Sequence, residues 1–218
     1  MEKIITLTEP TSAAAEAYRA LRVNLSYATL DQPIKTLVVT APAVEDNAPV
    51  PADVSVNLAV VAAQAGQRVI LVDADLRNPH LHDIFGIPNA GGVTQAILAL
   101  GKDGELPLLA TEVPGLRLLT TGKVPPNPSD ILSSNKMGEL LERLKEHADL
   151  IILQAPPILA AVDAAALAAK TDGLVLTIRS GKTRRDRIES AKAVLERYQV
   201  RLLGAVLTDA PDAVQVGY

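Results

Sequence analysis

A short apolar strand, a loop and a long alanine-rich helix follow one another between residues 35 and 65, and this succession most constrains the fold. Residues 35–40 are β-branched and apolar almost throughout, which predicts a strand buried on both faces of a parallel sheet. Residues 54–65 predict a buried helix that ends at Gly66, a residue suited to the left-handed conformation that closes helices. A second apolar strand, residues 68–73, follows and completes a strand–helix–strand unit.

This unit is the frame of a P-loop nucleotide-binding domain, but its loop lacks what such a domain needs. A P-loop reads G-x-x-x-x-G-K-[ST], because backbone N–H groups surround the phosphates and the lysine neutralises them. Residues 41–53 contain no glycine and no lysine, and each of their three prolines lacks an N–H. We therefore predict a retained fold with a degenerate loop that has lost its phosphate site. The residues that define this loop are Ala41, Pro42, Glu45, Asp46, Pro49, Pro51 and Asp53.

The loop is also acidic where a triphosphate would be. Glu45, Asp46 and Asp53 would face the phosphates if the loop lay where a P-loop lies. Two like charges about 4 Å apart repel each other by roughly 4 kcal/mol at an effective dielectric of about 20. The sequence therefore predicts no ATP and no Mg²⁺ as cofactors.

Length and composition limit the remaining possibilities. At 218 residues, the chain has room for one α/β domain spanning residues 1–218, and its apolar fraction of 48% with only 2% aromatics fits alanine-rich helices packed on Val, Leu and Ile strands. This predicts a doubly wound, mostly parallel sheet flanked by helices. A net charge of -4 argues against nucleic acid or an anionic membrane as the main partner.

The same composition bears on chemistry and location. The chain has no cysteine, which excludes disulfides and thiolate chemistry, and the spacing of its histidines makes a metal site improbable. No signal peptide is visible, and the most apolar stretch, residues 158–169, is interrupted by Asp163 and too short to span a bilayer. We expect a cytoplasmic chain.

Two acids and an arginine close the second strand. Asp73, Asp75 and Arg77 would lie at the carboxyl edge of the sheet, where open α/β sheets bind ligands, and two carboxylates there can position metal-bound water or accept a proton. The alternative is a remnant that caps the next turn and pairs with Arg77. A later strand, residues 149–154, ends in Gln154, where P-loop proteins carry the acid of the metal site; a neutral amide is a poor ligand for magnesium.

The first helix, predicted over residues 11–30 with Ser12 as its cap, carries charges at a spacing of three. Glu16, Arg19 and Arg22 share one face and can reach a neighbouring subunit. The simpler interpretation is a solvated face with an internal ion pair.

Five segments, in order and at the right separations, resemble the bacterial tyrosine kinase (BY-kinase) family of capsular and exopolysaccharide assembly. The resemblance implies a P-loop fold, a ring-shaped oligomer contacted through Glu16, Arg19 and Arg22, and a membrane-embedded polysaccharide co-polymerase or export protein as partner. It places the chain at the inner membrane through that partner, and an active kinase paralogue is a further candidate partner. The segments are residues 16–22, 72–79, 125–132, 155–157 and 179–183.

The departures from this family lie in the catalytic positions. Besides the loop and Gln154, Thr208 stands where relatives carry an asparagine, and the tail offers Tyr218 alone as a phosphoacceptor. We therefore predict a pseudokinase that acts by oligomerisation and binding. Two alternatives stay open: an active kinase with a non-standard nucleotide site, in which Arg77 or another basic residue replaces the missing lysine, and a ParA-like localisation or secretion adaptor.

Overall fold

A computed structural model describes residues 4–44, 52–100, 105–161 and 163–210. Its centre is a seven-stranded sheet of order β3-β4-β2-β5-β1-β6-β7, in which only β3 runs antiparallel to its neighbour. The mostly parallel sheet confirms the predicted fold class. The strands are β1 (Thr36–Thr40), β2 (Val69–Asp73), β3 (Leu109–Ala110), β4 (Leu116–Leu119), β5 (Leu150–Gln154), β6 (Gly173–Arg179) and β7 (Leu202–Thr208).

Helices cover both faces of the sheet. Helices α2, α3 and α4 pack on one face, and α5 to α9 pack on the other, so that two buried apolar clusters lie on either side of the strands. This is the doubly wound arrangement. The helices are α1 (Ile5–Thr8), α2 (Ala13–Ala28), α3 (Asp53–Gln64), α4 (Leu81–Phe85), α5 (Val93–Leu98), α6 (Pro128–Ser133), α7 (Asn135–Lys145), α8 (Asp163–Ala168) and α9 (Arg185–Arg197).

The predicted start of α2 and the predicted end of α3 are confirmed. Ser12 caps α2 by accepting a hydrogen bond from the Ala15 N–H at 3.2 Å. Gly66 follows α3 with a φ of +89°, the left-handed conformation that glycine adopts without strain. The helix predicted over residues 11–30 spans Ala13–Ala28, and Leu30 lies beyond its end and is 66% exposed.

The first residues of the described chain form a helical turn, Ile5–Thr8. The cause is a tertiary contact: Asn57 of α3 accepts hydrogen bonds from the N–H and the hydroxyl of Thr6 at 3.0 and 2.7 Å. No helix in the described part of the chain is long and apolar enough to cross a membrane.

The strand register brings the functional positions to one edge. Gln154 at the end of β5 lies beside Asp73 at the end of β2 and beside Val39 near the end of β1. The carboxyl ends of these three central strands therefore meet, with the first turn of α3 above them.

Candidate functional site

Asp73 ends β2 and is fully buried. Its Oδ2 accepts hydrogen bonds from the backbone N–H groups of His80 and Leu81, both at 3.0 Å, and so caps the start of α4. Within the described part of the chain, its Oδ1 has no hydrogen-bond partner. Burial raises the pKa of Asp73 to about 6, against the lowering effect of those two N–H groups and of His80. Asp73 is thus a structural cap with one buried acceptor left over.

Asp75 caps the turn that follows. Its Oδ1 accepts from the N–H groups of Arg77 and Asn78 at 3.3 and 3.1 Å, and only 2% of the residue is exposed. Burial raises the pKa of Asp75 as well. The capping interpretation of the two acids is confirmed, because each of them accepts two backbone N–H groups of this turn.

Arg77 pairs with a residue that the sequence did not point to. Its Nε and Nη2 donate to Oδ2 of Asp163 at 3.1 and 3.0 Å, and Nη2 also donates to the Ser129 hydroxyl at 2.9 Å. The alternative interpretation also paired the two acids with Arg77, and that part is wrong, because the guanidinium turns away toward α6 and α8. The only sequence signal for Asp163 was a charge inside an apolar stretch; its side chain is 2% exposed.

Gln154 is fully buried between β2 and α3. The Ser55 hydroxyl lies 2.6 Å from Oε1 of Gln154 and 2.9 Å from the Ala52 carbonyl oxygen, so it bridges β5 to the first turn of α3. The amide nitrogen of Gln154 has no partner in the described structure. Sequence reasoning missed Ser55, whose signal is a polar residue on an otherwise apolar helix.

The loop between β1 and α3 is described in part. Ala41 and Pro42 are buried, and their carbonyl oxygens accept from the N–H groups of Ile158 and Leu159, both at 3.0 Å. Asp53 is the exposed first residue of α3. Four of the loop residues singled out in the sequence lie outside the described residues: Glu45, Asp46, Pro49 and Pro51.

The chemistry of these residues does not fit a magnesium nucleotide held as P-loop proteins hold it. The sequence has no lysine, arginine or histidine between Lys35 and Arg68, so neither the loop nor α3 supplies a cation. Among the described residues, no group of three His, Cys, Asp or Glu side chains can hold a metal ion. Arg77 is bound to Asp163 and Ser129, which leaves it a poor substitute for the missing lysine.

The charged face of α2 carries an internal ion pair, as the simpler interpretation predicted. Arg19 Nη1 lies 2.9 Å from Glu16 Oε2, and its Nη2 donates to the Pro10 carbonyl at 2.7 Å. Arg22 lines a groove of about 260 Å³ with Leu25 and other residues of α2 and the sheet. Contact with a neighbouring subunit stays a prediction.

The tyrosines differ in their surroundings. Tyr18 packs on the core beneath α2, and burial raises its pKa to about 12. Its ring therefore lies against its own chain. Tyr27 is 70% exposed. Tyr218 lies outside the described residues.

Comparisons with known proteins place this geometry among kinases and P-loop proteins. No protein-family model matches the chain. The tyrosine-protein kinase YwqD of Bacillus subtilis (strain 168) is 39% identical over 204 residues, which cover 94% of this chain and 84% of YwqD. The solved kinase domain of the Escherichia coli tyrosine kinase ETK is 32% identical with a TM-score of 0.85, and the match covers 99% of this chain and 85% of that domain.

A more distant structure supports the fold alone. The septum site-determining protein MinD from Pyrococcus horikoshii OT3, solved with Mg-ADP, has a TM-score of 0.62 at 19% identity, over 79% of this chain and 69% of MinD. The chain has the P-loop NTPase fold.

Proposed function

Because the chain belongs to the bacterial tyrosine-kinase family, we propose that it is a catalytically inactive member that acts as a scaffold or regulator in capsular or exopolysaccharide synthesis and export. The observation that carries this proposal is the β1–α3 loop. It has no basic residue, no glycine and three acids, where the fold needs donors and a cation.

The second strand edge supports the same proposal. One carboxylate oxygen of Asp73 and one of Asp75 accept hydrogen bonds from backbone N–H groups. The neighbouring strand ends in Gln154, whose side chain is a neutral amide. Phosphoryl transfer depends almost entirely on cations that neutralise the transferred group and on an acid that holds the metal. At this edge the two acids are engaged by backbone N–H groups and Arg77 is bound to Asp163, which supports the loss of both roles.

We infer that the function left to such a chain is binding. The candidate contacts are a ring or other homo-oligomer through Glu16, Arg19 and Arg22, and a membrane-embedded polysaccharide co-polymerase or export protein at the inner membrane. The two alternative functions have weaker support. An active kinase would need a phosphate-binding cation, and a ParA-like adaptor would be expected to resemble MinD more than YwqD.

Nucleotide titration tests the loss of activity. Calorimetry with ATP and ADP in the presence of Mg²⁺ should show no saturable binding below millimolar concentration, with the ETK kinase domain as the positive control. Incubation with MgATP should yield no phosphotyrosine at Tyr18, Tyr27, Tyr198 or Tyr218. A micromolar dissociation constant or the appearance of phosphotyrosine overturns the proposal.

The variant Gln154→Asp tests whether the missing acid at position 154 alone accounts for the proposed inactivity, or whether the whole nucleotide site is lost. It places an acid beside Asp73, and without a phosphate-binding loop it should still show no turnover. Restored turnover in this single variant would mean that the loop is competent to bind nucleotide. The variant Gln154→Glu, which keeps the length of the native side chain, serves as the matched control.

Light scattering tests assembly. Arg19→Ala/Arg22→Ala should run as a monomer with unchanged circular dichroism, where the parent chain runs as a larger species, because both side chains lie outside the core. One exposed ion pair contributes about 0–1 kcal/mol, so only repetition around a closed ring makes such a contact persist. The control Lys182→Ala/Arg187→Ala removes two exposed cations elsewhere and should leave the oligomer intact. A monomeric parent chain contradicts self-assembly.

A further inference from the structure

A groove lies at the amino edge of the sheet, at the opposite end of the strands from Asp73 and Gln154. Its volume is about 260 Å³, and it is lined by the last turns of α2 and by the loop that leads into β1. Leu37 of β1 and Leu58 of α3 also line it and are buried, as does Leu150 at the start of β5. The groove is therefore separate from the carboxyl edge, where this fold binds nucleotide.

The lining of this groove is mostly aliphatic and carries one cation. Leu25 and Ile34 belong to the same lining, and Arg22 is the only charged side chain among the described lining residues. Arg19 on the same helix is paired with Glu16, whereas Arg22 has no hydrogen bond or ion pair within the described part of the chain. An apolar groove with one unpaired guanidinium suits an apolar ligand that carries an anionic group.

The charges next to the groove also favour an anion. Asp31 is the only acid between α2 and β1, and the same segment carries Lys35. Arg201 reaches this loop, where its Nη1 donates to a backbone carbonyl oxygen at 3.1 Å. Arg68, which follows a lining residue, is already paired with Asp149 and adds no net charge. The cations around the groove therefore outnumber the acids.

The loop that borders the groove has few backbone groups left for pairing with a peptide. The N–H groups of Leu30 and Gln32 donate to carbonyl oxygens at the end of α2, at 3.3 and 3.2 Å. Pro33 has no N–H, and the Gln32 carbonyl is the one that accepts from Arg201. A bound peptide strand would lack partners for its own backbone, whereas an aliphatic chain has no such groups to satisfy.

We propose that this groove binds a single aliphatic chain that ends in a carboxylate, with the chain on the leucine side chains and the carboxylate on Arg22. A cavity of about 150 Å³ holds benzene, so the groove has room for on the order of ten carbon atoms. The ligand is thus a fatty acid of medium length. An arginine can meet its carboxylate with two hydrogen bonds. This site does not depend on the proposed loss of the nucleotide site.

The absence of tryptophan gives a direct test on the full chain, because one introduced tryptophan is the only one present. Leu30→Trp places it in the lining of the groove, and Leu98→Trp on α5 is the matched control, since the two leucines are 66% and 65% exposed. Tryptophan emission moves to shorter wavelength when the ring leaves water. Decanoate, below the concentration at which it forms micelles, should shift the emission of Leu30→Trp saturably and leave Leu98→Trp unchanged.

Variants of the two arginines separate the carboxylate contact from assembly through α2. In the Leu30→Trp chain, Arg22→Gln should weaken decanoate binding about tenfold and leave the binding of decanol unchanged, because decanol has the same chain and no charge. Arg19→Ala in the same chain should keep the affinity for decanoate, even if it weakens assembly. Circular dichroism verifies folding, and calorimetry of the parent chain with decanoate verifies that the tryptophan neither creates nor blocks the site.

Four outcomes overturn the proposal. The first is an absent or unsaturable response to decanoate, or an equal response of both tryptophan variants, which indicates adsorption. The second is an unchanged affinity for decanoate in Arg22→Gln. The third is an emission of Leu30→Trp that moves to longer wavelength on dilution, which indicates that a second copy fills the groove. The fourth is binding to anionic phospholipid vesicles without binding of decanoate, which assigns this face to a membrane surface. Saturable, Arg22-dependent binding of decanoate supports the proposal.

Discussion

The turn after β2 and the junction between β1 and α3 lie at the same edge of the sheet, and they handle polar groups in opposite ways. In the turn, Asp73 and Asp75 each accept two backbone N–H groups. At the junction, Ala52 occupies the helix N-cap and offers no side-chain acceptor, and Ser55 is held by Gln154 instead. The acids thus have a structural task that explains their presence without catalysis.

This difference changes how an acid pair in a nucleotide-binding frame is interpreted. Two acids at the end of a strand look like the remains of a metal site when the sequence is considered alone. In the structure they hold the path of the chain into α4, and backbone N–H groups offset their burial only in part. The presence of both acids is therefore no evidence for or against a working phosphate loop, because the turn uses them in either case.

Removing the arginine that closes this turn should have the largest effect. Arg77→Met leaves Asp163 buried without its charged partner, which should lower the free energy of unfolding by about 2–3 kcal/mol. Urea denaturation measures the loss. The double variant Arg77→Met/Asp163→Leu should recover most of it, because no unpaired charge remains.

A matched control removes an exposed arginine that, like Arg77, forms an ion pair with an aspartate. Arg68→Met breaks the ion pair with Asp149, whose side chains are 61% and 44% exposed, and water replaces the lost partner. Arg68→Met should lower the free energy of unfolding clearly less than Arg77→Met does. Equal losses in the two variants would mean that the Arg77–Asp163 pair contributes no more than surface charge.

Asp73 should make stability depend on pH in the direction opposite to the usual carboxylate. Its pKa is raised from 3.8 to about 6 in the folded chain, so the folded state binds the proton more tightly than the unfolded state between those values. Stability should therefore fall as pH rises through this window, and the penalty is complete above pH 6. His80 and Asp75 are the nearby charges that modulate it.

The variant Asp73→Asn removes this penalty while keeping an oxygen for the two N–H groups of α4. Relative to the parent, it should gain roughly 1–3 kcal/mol at pH 7.5, and the gain should shrink toward pH 4. Urea titrations at both pH values measure the difference between the two chains. A gain that does not change with pH would show that the charge of Asp73 is not responsible.

The sequence predicted the parts of the fold that depend on local pattern. Continuous apolar runs predicted β1, β2, β5, β6 and β7. The apolar, alanine-rich run of residues 54–65, followed by Gly66 as the closing residue, predicted α3. In each case the signal lies in neighbouring residues.

What the sequence did not predict depends on contacts between distant residues. Arg77 and Asp163 are 86 positions apart, Ser55 and Gln154 are 99 positions apart, and α1 depends on Asn57, which is 51 positions from Thr6. Neither propensity nor spacing encodes such pairs. They determine how the acids at the sheet edge are used, which is why the sequence left two interpretations of Asp73 and Asp75 open.

The smallest effect is expected at the β1–α3 junction. Ser55→Ala removes one hydroxyl that bridges Gln154 to the Ala52 carbonyl, and it leaves the Gln154 amide buried without that partner. A net hydrogen bond is worth about 1 kcal/mol, so the free energy of unfolding should fall by about that amount. Ser190→Ala on the exposed face of α9 is the control and should have less effect, since water replaces the lost contact.

The double variant Ser55→Ala/Gln154→Leu shows whether the bridge or the buried amide determines this cost. Replacing both partners by apolar groups of similar shape is close to neutral, because no buried polar group is left unsatisfied. Gln154→Leu also removes the amide nitrogen that already lacks a partner, so the double variant should be at least as stable as Ser55→Ala alone. A double variant that is less stable than Ser55→Ala alone would mean that Gln154 has a partner in solution. Such a partner would lie at the carboxyl edge beside Asp73, and the junction would then be as closely connected as the turn after β2.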